Sequence, residues 1–334
     1  MTKAILTSKP TSIYNDLVEF RYHFPATYLR QVTDAVGDWV IYYEPRRLTT
    51  QLNIAGGRQS YFATAKINRV ERDPERSDHY YAYVTDYLEF DHPVPFKEQS
   101  FYYESRLRKE DGSTNKGNFG RSVRSIPDEE YNAILTAGFH KAVIGEDAYY
   151  AAIQQEQSQR QLTLHSVMSG MAEEQEAFQA GSPKIRDKIL ERVRAIAPRD
   201  EKIITKLVSR PFRDEAFKHA VRQVYGNTCA LTGLSLVNGG GRPEVQAAHI
   251  QPVAQKGPDS IRNGLALSGT VHWMFDRGLI SIHDDYRILT ADQFLPKEAK
   301  ALLNKDGVMR LPDREDERPH QQFLEYHRDT IFKG

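Results

Sequence analysis

The sequence predicts an α+β chain: a small N-terminal β-barrel, a helical connector and a mixed C-terminal domain. Three observations predict it. Aromatic and β-branched segments bounded by turns crowd the first part, and 15 of the 18 tyrosines fall at or before Tyr150. Proline and glycine thin out from about residue 125 to 222, where helix formers dominate. From about Lys206 a helix, short strands and a polar glycine loop alternate. Length supports the division, since 334 residues exceed one ordinary core and suggest about two domains. The boundaries are set at 1–145, 146–205 and 206–334.

In the first domain, strands are expected at Trp39 to Tyr43, Tyr61 to Ile67 and Tyr80 to Val84. Gly37-Asp38, Gly56-Gly57 and Asp73-Pro74 supply the turns. Pro93 and Pro95 argue for an edge or a loop, because proline cannot donate to a ladder. In the connector, Gln154 to Gln161 is polar. A second helical run starts at Ser182-Pro183 and passes through Ile185, Ile189, Leu190 and Val193. The third segment is expected to hold a helix from Arg213 to Tyr225, the loop Asn238-Gly239-Gly240-Gly241 and a closing helix from Phe323 to Phe332.

Composition removes several classes of function. Forty per cent apolar and 27% charged residues describe a globular chain. Lys plus Arg and Asp plus Glu are both 45, so nucleic-acid binding must be argued from local charge. A single cysteine, Cys229, excludes an internal disulfide and a multi-cysteine zinc cage. No run of 18 apolar residues exists to span a membrane, and Met1 to Pro10 lacks a signal-peptide core, so a cytoplasmic address is expected.

The chemistry is carried by Ala248-His249-Ile250-Gln251-Pro252, Asn263-Gly264-Leu265, and His272 followed by Asp276. His249, Asn263 and His272 are 14 and 9 residues apart. This pattern resembles the HNH nucleases, the ββα-metal class. Phosphodiester hydrolysis needs a base for the water and a cation for the charge on the leaving oxygen. A histidine at a strand end can take the water's proton near neutral pH, which assigns His249 as the base. His272 and Asp276 share one helix face and are the candidate metal ligands. Asn263 can hydrogen-bond across the connecting loop and hold the base.

Two departures from the family pattern matter. Many relatives carry an Asp or His metal ligand directly before the base, where this chain has Ala248. The resemblance therefore implies a shell completed by water and the scissile phosphate, with Mg²⁺ or another divalent cation such as Mn²⁺, Co²⁺ or Ni²⁺. Many relatives also carry CxxC zinc knuckles. This chain has only Cys229-Ala230-Leu231-Thr232-Gly233, which resembles the subgroup without structural zinc, and Cys229 is expected to be a buried hydrophobe.

Candidate phosphate contacts follow from local charge. Lys184 to Arg222 holds 12 basic and 6 acidic residues, and Arg210, Arg213 and Arg222 precede the active-site hairpin. Arg106 to Arg124 holds six basic and two acidic residues around a glycine-containing loop, which nominates Asn115, Lys116, Arg121 and Arg124. A solvated helix face and a plain surface loop are the bland alternatives.

Three segments, Arg21-Tyr22-His23-Phe24-Pro25, Gly37 to Pro45 and Tyr61 to Ala65, resemble an EVE-type domain of the PUA superfamily of small β-barrels. The resemblance implies an aromatic pocket for one flipped, modified base, with Tyr22, Trp39, Tyr43, Tyr61 and Phe62 as cage candidates. Aromatics at alternating strand positions can equally be barrel core.

An EVE-type reader joined to an HNH domain looks like a modification-dependent restriction endonuclease. That implies double-stranded DNA carrying 5-methyl- or 5-hydroxymethylcytosine as substrate, with no companion methyltransferase. One HNH site nicks one strand, so a homodimer is expected, with the 145–205 helices as its candidate contact. The alternatives are an HNH nicking enzyme for unmodified DNA, a modified-nucleic-acid binding protein that has lost catalysis, and an RNA-directed role.

Overall fold

The computed structural model describes residues 3–9, 16–46, 57–98, 101–140, 142, 207–238 and 241–334. The expected connector helices, with the Gln154 to Gln161 stretch and the Ser182-Pro183 start, lie outside the described residues, as do Gly239 and Gly240.

The N-terminal elements are β1 (Lys3–Thr7), β2 (Arg21–Pro25), α1 (Leu29–Asp34), β3 (Trp39–Glu44), β4 (Ser60–Arg72), β5 (His79–Pro95), β6 (Lys97–Glu98), β7 (Phe101–Tyr102), α2 (Lys116–Phe119), β8 (Val123–Ile126) and α3 (Asp128–Gly138). The C-terminal elements are α4 (Arg210–Val224), β9 (Gln246–His249), β10 (Gly264–Leu267), α5 (Gly269–Asp276), β11 (Ile280–Ile282), β12 (Ile288–Thr290), α6 (Lys297–Lys300) and α7 (Gln321–Thr330). The chain is α+β, and its first part is a curled six-stranded half-barrel in the order β2-β5-β4-β3-β1-β8. The β1–β3 pair is parallel and the others are antiparallel.

Both faces of this sheet are apolar and both are covered. One face carries Ile5, Trp39, Ile41, Tyr43, Tyr61 and Leu88 against Tyr131, Ile134 and Leu135 of α3. The other carries Ala4, Leu6, Tyr22, Val40, Tyr42 and Ala63 against Val32 of α1. Strict alternation would place Tyr61 and Ala63 on one face. Register shifts between Tyr42 and Tyr43 and between Tyr61 and Ala63 place them on opposite faces.

Strand β5 settles the expectation at Pro93 and Pro95 in favour of an edge over a loop. It continues through both, with Val94 opposite Tyr61 and Pro95 opposite Ser60. Its partner on the other side, β2, pairs only with residues 79 to 83, so this end of β5 is an edge where proline costs no ladder bond.

The helix α4 joins the two parts. Its Phe212 and Ala216 pack into the N-terminal core, while Phe217, Ala220 and Val221 pack into the C-terminal core. Phe212 meets Phe139 edge to face at 5.4 Å. Phe20 also packs into the C-terminal core, its ring centroid 6.4 Å from that of Phe323, and ion pairs add to the contact. Arg58 bonds Glu44 and Glu317, Arg314 bonds Glu44, and Arg262 bonds Glu19. Cys229 is buried in the C-terminal core beside Ala230 and Leu231.

Candidate active site

Strands β9 and β10 form an antiparallel pair with His249 opposite Gly264, and α5 follows at once. Gly264 is required by close approach, since a Cβ there would lie 2.4 Å from Val221 Cγ2. This ββα unit opens onto a cleft of about 440 Å³, lined by His249, Val253, His272, Phe275, Asp276 and His327 among others. The three residues that the sequence nominated for base and metal chemistry therefore share one cavity.

His249 stands at the end of β9 and is half-buried. Phe217 from α4 lies flat on its ring, with centroids 3.8 Å apart. Its Nε2 is 3.0 Å from Oδ1 of Asp259, a buried carboxylate. Burial raises the Asp259 carboxyl, but the His249 hydrogen bond and the Arg213 and Arg210 guanidinium groups outweigh it and hold it at about 2.

Asn263 is fully buried and does not face the cleft chemistry directly. Its Nδ2 donates to Gln251 O at 3.0 Å and Pro258 O at 2.9 Å, and its Oδ1 accepts from Gln251 N at 2.8 Å. These bonds close the loop between the strands. Gly257 permits the closure, because a Cβ there would sit 1.9 Å from Gln251 O.

His272 and Asp276 lie one helical turn apart, with Nε2 and Oδ2 separated by 3.5 Å. Gln246 Oε1 is 2.8 Å from His272 Nδ1, which makes Nδ1 the protonated nitrogen and leaves Nε2 as a donor for a cation. Among the described residues no group of three or more His, Cys, Asp and Glu side chains forms a metal cluster. A donor set of one imidazole and one carboxylate still fits a divalent ion that keeps much of its water and takes phosphate oxygens. Ala248 is buried in the core and offers no ligand.

The other nominated residues divide. Lys116 and Arg121 are exposed, and Asn115 caps α2 by accepting from Asn118 N. Arg210 is half-exposed and bonds Asp214 and Asp259. Arg213, Arg222 and Arg124 are buried and are not surface phosphate contacts. Arg213 bonds Asp259, Arg222 donates to Val245 O, and Arg124 holds Glu104. The local charge nominates these three arginines as phosphate contacts, but their forks satisfy buried acceptors instead.

The five aromatic cage candidates do not converge. Trp39, Tyr43 and Tyr61 are buried on one face of the sheet and Tyr22 on the other. Phe62 is half-buried against the second face, with the Arg58 guanidinium 5.2 Å from its ring centre. Trp273 is 58% exposed beside the cleft residue His272, whereas its neighbours Met274 and Phe275 are buried. Three successive helical residues point in three directions, so an eight-residue helix packed on one side cannot bury them all.

Four site residues were missed in the sequence: Asp259, Gln246, Phe217 and His327. Asp259 lies between the motif residues His249 and Asn263, and Gln246 lies two residues before Ala248. Phe217 and His327 reach the site only through α4 and α7.

A ββα unit with a strand-end histidine, a loop-closing asparagine and a helical histidine defines the HNH class of nuclease domain. Residues 229–283 match the family model of HNH endonucleases, and this segment is an HNH endonuclease domain. Similar solved structures include a modification-dependent TagI restriction endonuclease, at 26% identity and TM-score 0.29, covering 34% of this chain and 37% of that one. They also include the N-terminal domain of Staphylothermus marinus McrB, at 13% identity and TM-score 0.27, covering 40% and 92%. A third is the type IV phosphorothioation-dependent restriction endonuclease ScoMcrA, at 11% identity and TM-score 0.18, covering 81% and 45%. The chain thus spans little more than a third of the first of these. A comparison with curated proteins found no match. No helix among the described residues is long and apolar enough to cross a membrane.

Proposed function

We propose that this chain is a modification-dependent restriction endonuclease that cuts double-stranded DNA carrying 5-methyl- or 5-hydroxymethylcytosine. The observation that carries the reading is the single cleft shared by His249, His272 and Asp276. His249 takes a proton from water. The water oxygen attacks phosphorus, and the bond from phosphorus to the leaving sugar oxygen breaks. Phe217 and Asp259 keep the ring of His249 in place, and Asn263 keeps the loop beneath it. His272 and Asp276 would hold a divalent cation, with Mg²⁺ or Mn²⁺ the first choice, which supplies charge neutralisation for the phosphate.

The N-terminal half-barrel is the reader in this proposal, supported by its resemblance to EVE-type domains. A flipped base stacks on exposed aromatic faces, and four of the five original candidates are committed to the core. Phe62 is the candidate that remains. A second copy of the chain would supply the second nick.

The test is a cleavage assay on matched duplexes, unmodified or carrying either modified cytosine, with Mg²⁺, Mn²⁺ or EDTA. Wild type and His249→Ala are compared. Metal-dependent cutting of modified duplex alone, lost in the variant, is the expected result. Equal cutting of all duplexes removes the reader, and no cutting with any metal removes the nuclease. A mass measurement that finds only monomer with and without DNA removes the dimer.

A further inference from the structure

Asp259 belongs to the loop between His249 and Asn263, yet its surroundings come from three parts of the chain. Its Oδ1 meets His249 Nε2 at 3.0 Å. Arg213 Nε donates to Oδ2 at 2.8 Å, and Arg210 donates to both oxygens at 3.1 and 3.0 Å. Two guanidinium groups around one buried carboxylate keep it ionised, and an ionised carboxylate only accepts. Nε2 of His249 must then carry the proton of the neutral ring, and Nδ1 is left as its proton acceptor. Phe217 against the ring face opposes rotation of that ring.

Arg213 also reaches the N-terminal sheet. It donates to Asp86 O at 3.0 Å and to Tyr87 O at 2.8 Å. The backbone at Asp86 takes a φ of 54°, a conformation uncommon for residues other than glycine. The next two residues complete the attachment. Leu88 forms a parallel bridge with Asp259, and Glu89 Oε2 accepts from Ile261 N at 2.6 Å. Residues 86–89 of β5 therefore grip both the partner of His249 and the loop that bears it.

We infer that Asp259 is a positioning residue that sets the tautomer of His249, and that Arg213 fixes Asp259 to β5, so that the N-terminal sheet aligns the nuclease base. The inference rests on His249 being the base of the proposed reaction. It makes the reader domain part of the catalytic scaffold and not only a tether to DNA. An asparagine at position 259 can present an N–H to Nε2, which forces the proton to Nδ1 and removes the ring's acceptor.

The test uses the full chain as wild type, Asp259→Asn, Asp259→Glu and Arg213→Lys. Histidine ring nitrogens are labelled with ¹⁵N and followed by NMR, with His249→Ala to assign the signal. Single-turnover cleavage and duplex affinity are measured beside it. In wild type the proton is expected on Nε2. Asp259→Asn is expected to move it to Nδ1 and to slow cleavage roughly 10²-fold or more, with duplex affinity within about threefold. Asp259→Glu is expected to keep the wild-type tautomer and recover at least about a tenth of the wild-type rate. Arg213→Lys keeps the charge but loses the fork to β5, and is expected to slow cleavage roughly tenfold at unchanged affinity. A wild-type proton on Nδ1, or a wild-type rate in Asp259→Asn, overturns the role of Asp259. A wild-type rate in Arg213→Lys overturns the link to β5. If wild type cuts no duplex, the proposed function fails, and the NMR comparison still decides where the proton lies. If Asp259→Asn cannot be purified, the wild-type tautomer and the Asp259→Glu pair decide in the same way.

Discussion

Phe217 and His249 stack face to face, with ring centroids 3.8 Å apart and planes 11° from parallel. The two residues come from α4 and β9, so the orientation of the candidate base depends on helix packing as well as on its own strand. Replacing Phe217 with leucine keeps an apolar side chain but loses the stack. An aromatic contact of this kind is worth about 0.5–1.5 kcal/mol, and about 1.4 kcal/mol is tenfold in rate. Phe217→Leu is expected to slow single-turnover cleavage by up to about tenfold while duplex affinity holds. An unchanged rate would show that the stack does not orient the base.

Gln246 and His249 separate two roles within one strand. Gln246 holds His272 Nδ1 at 2.8 Å, so Gln246→Ala is expected to raise the half-saturating Mg²⁺ concentration roughly 10–100-fold, as loss of a ligand's hydrogen-bond partner does. High metal should then restore its cleavage. His249→Ala is expected to lose about 10²–10⁴-fold in rate, and no metal concentration should restore it. A metal titration of both variants checks the division. Rescue of His249→Ala by metal would assign that histidine to ligation.

Tyr61 serves the fold and not a base pocket. Its hydroxyl donates to Glu104 Oε1 at 2.7 Å, and the same carboxylate holds Arg124 through two bonds. Tyr61→Phe leaves the buried carboxylate one donor short, at a cost of about 1–3 kcal/mol. Denaturant unfolding should register that loss, and affinity for modified duplex should stay at the wild-type value. A variant of wild-type stability with weakened duplex binding would return Tyr61 to the pocket.

Glu89 makes the domain contact sensitive to pH. Burial, with the Glu19 charge adding to it, pushes its carboxyl up to about 8 from 4.5. The native group therefore stays protonated between about pH 4.5 and 8, where the unfolded group has ionised. Stability from this site is full below about pH 4.5 and falls as pH rises towards 8. Asp16, pushed up to about 7 chiefly by burial, acts in the same direction. Glu89→Gln stays neutral throughout and is expected to flatten the loss. Thermal unfolding of both proteins at pH 5 and pH 8 measures it. Equal slopes would mean that Glu89 ionises in the native state as it does in the unfolded chain.

Much of the candidate site was legible because HNH chemistry is local. His249, Asn263 and His272 lie within 24 residues, and the strand, loop and helix between them fold on each other. Asp259 lies inside that window, and only its pairing with residues 46 and 49 positions away was hidden. The buried arginines show the same limit. Arg213 and Arg222 look like a basic helix face in sequence, and only the packed structure reveals the carbonyls and the carboxylate that they satisfy.

By itself the sequence determined the α+β class, the strand segments β3 to β5, the helix α4 and the ββα core of the nuclease domain. These follow from short-range patterns: alternation, helical spacing and turn residues. The tertiary structure alone decided which face each aromatic takes, since one bulge reverses the alternation of every residue beyond it. It also decided that Trp273 faces outward and that α4 serves two cores. The tie from β5 through Arg213 and Asp259 to His249 belongs with these, because it joins groups more than 150 residues apart in the chain. No local pattern encodes such a contact, and only the closing of the fold brings its partners within hydrogen-bond reach.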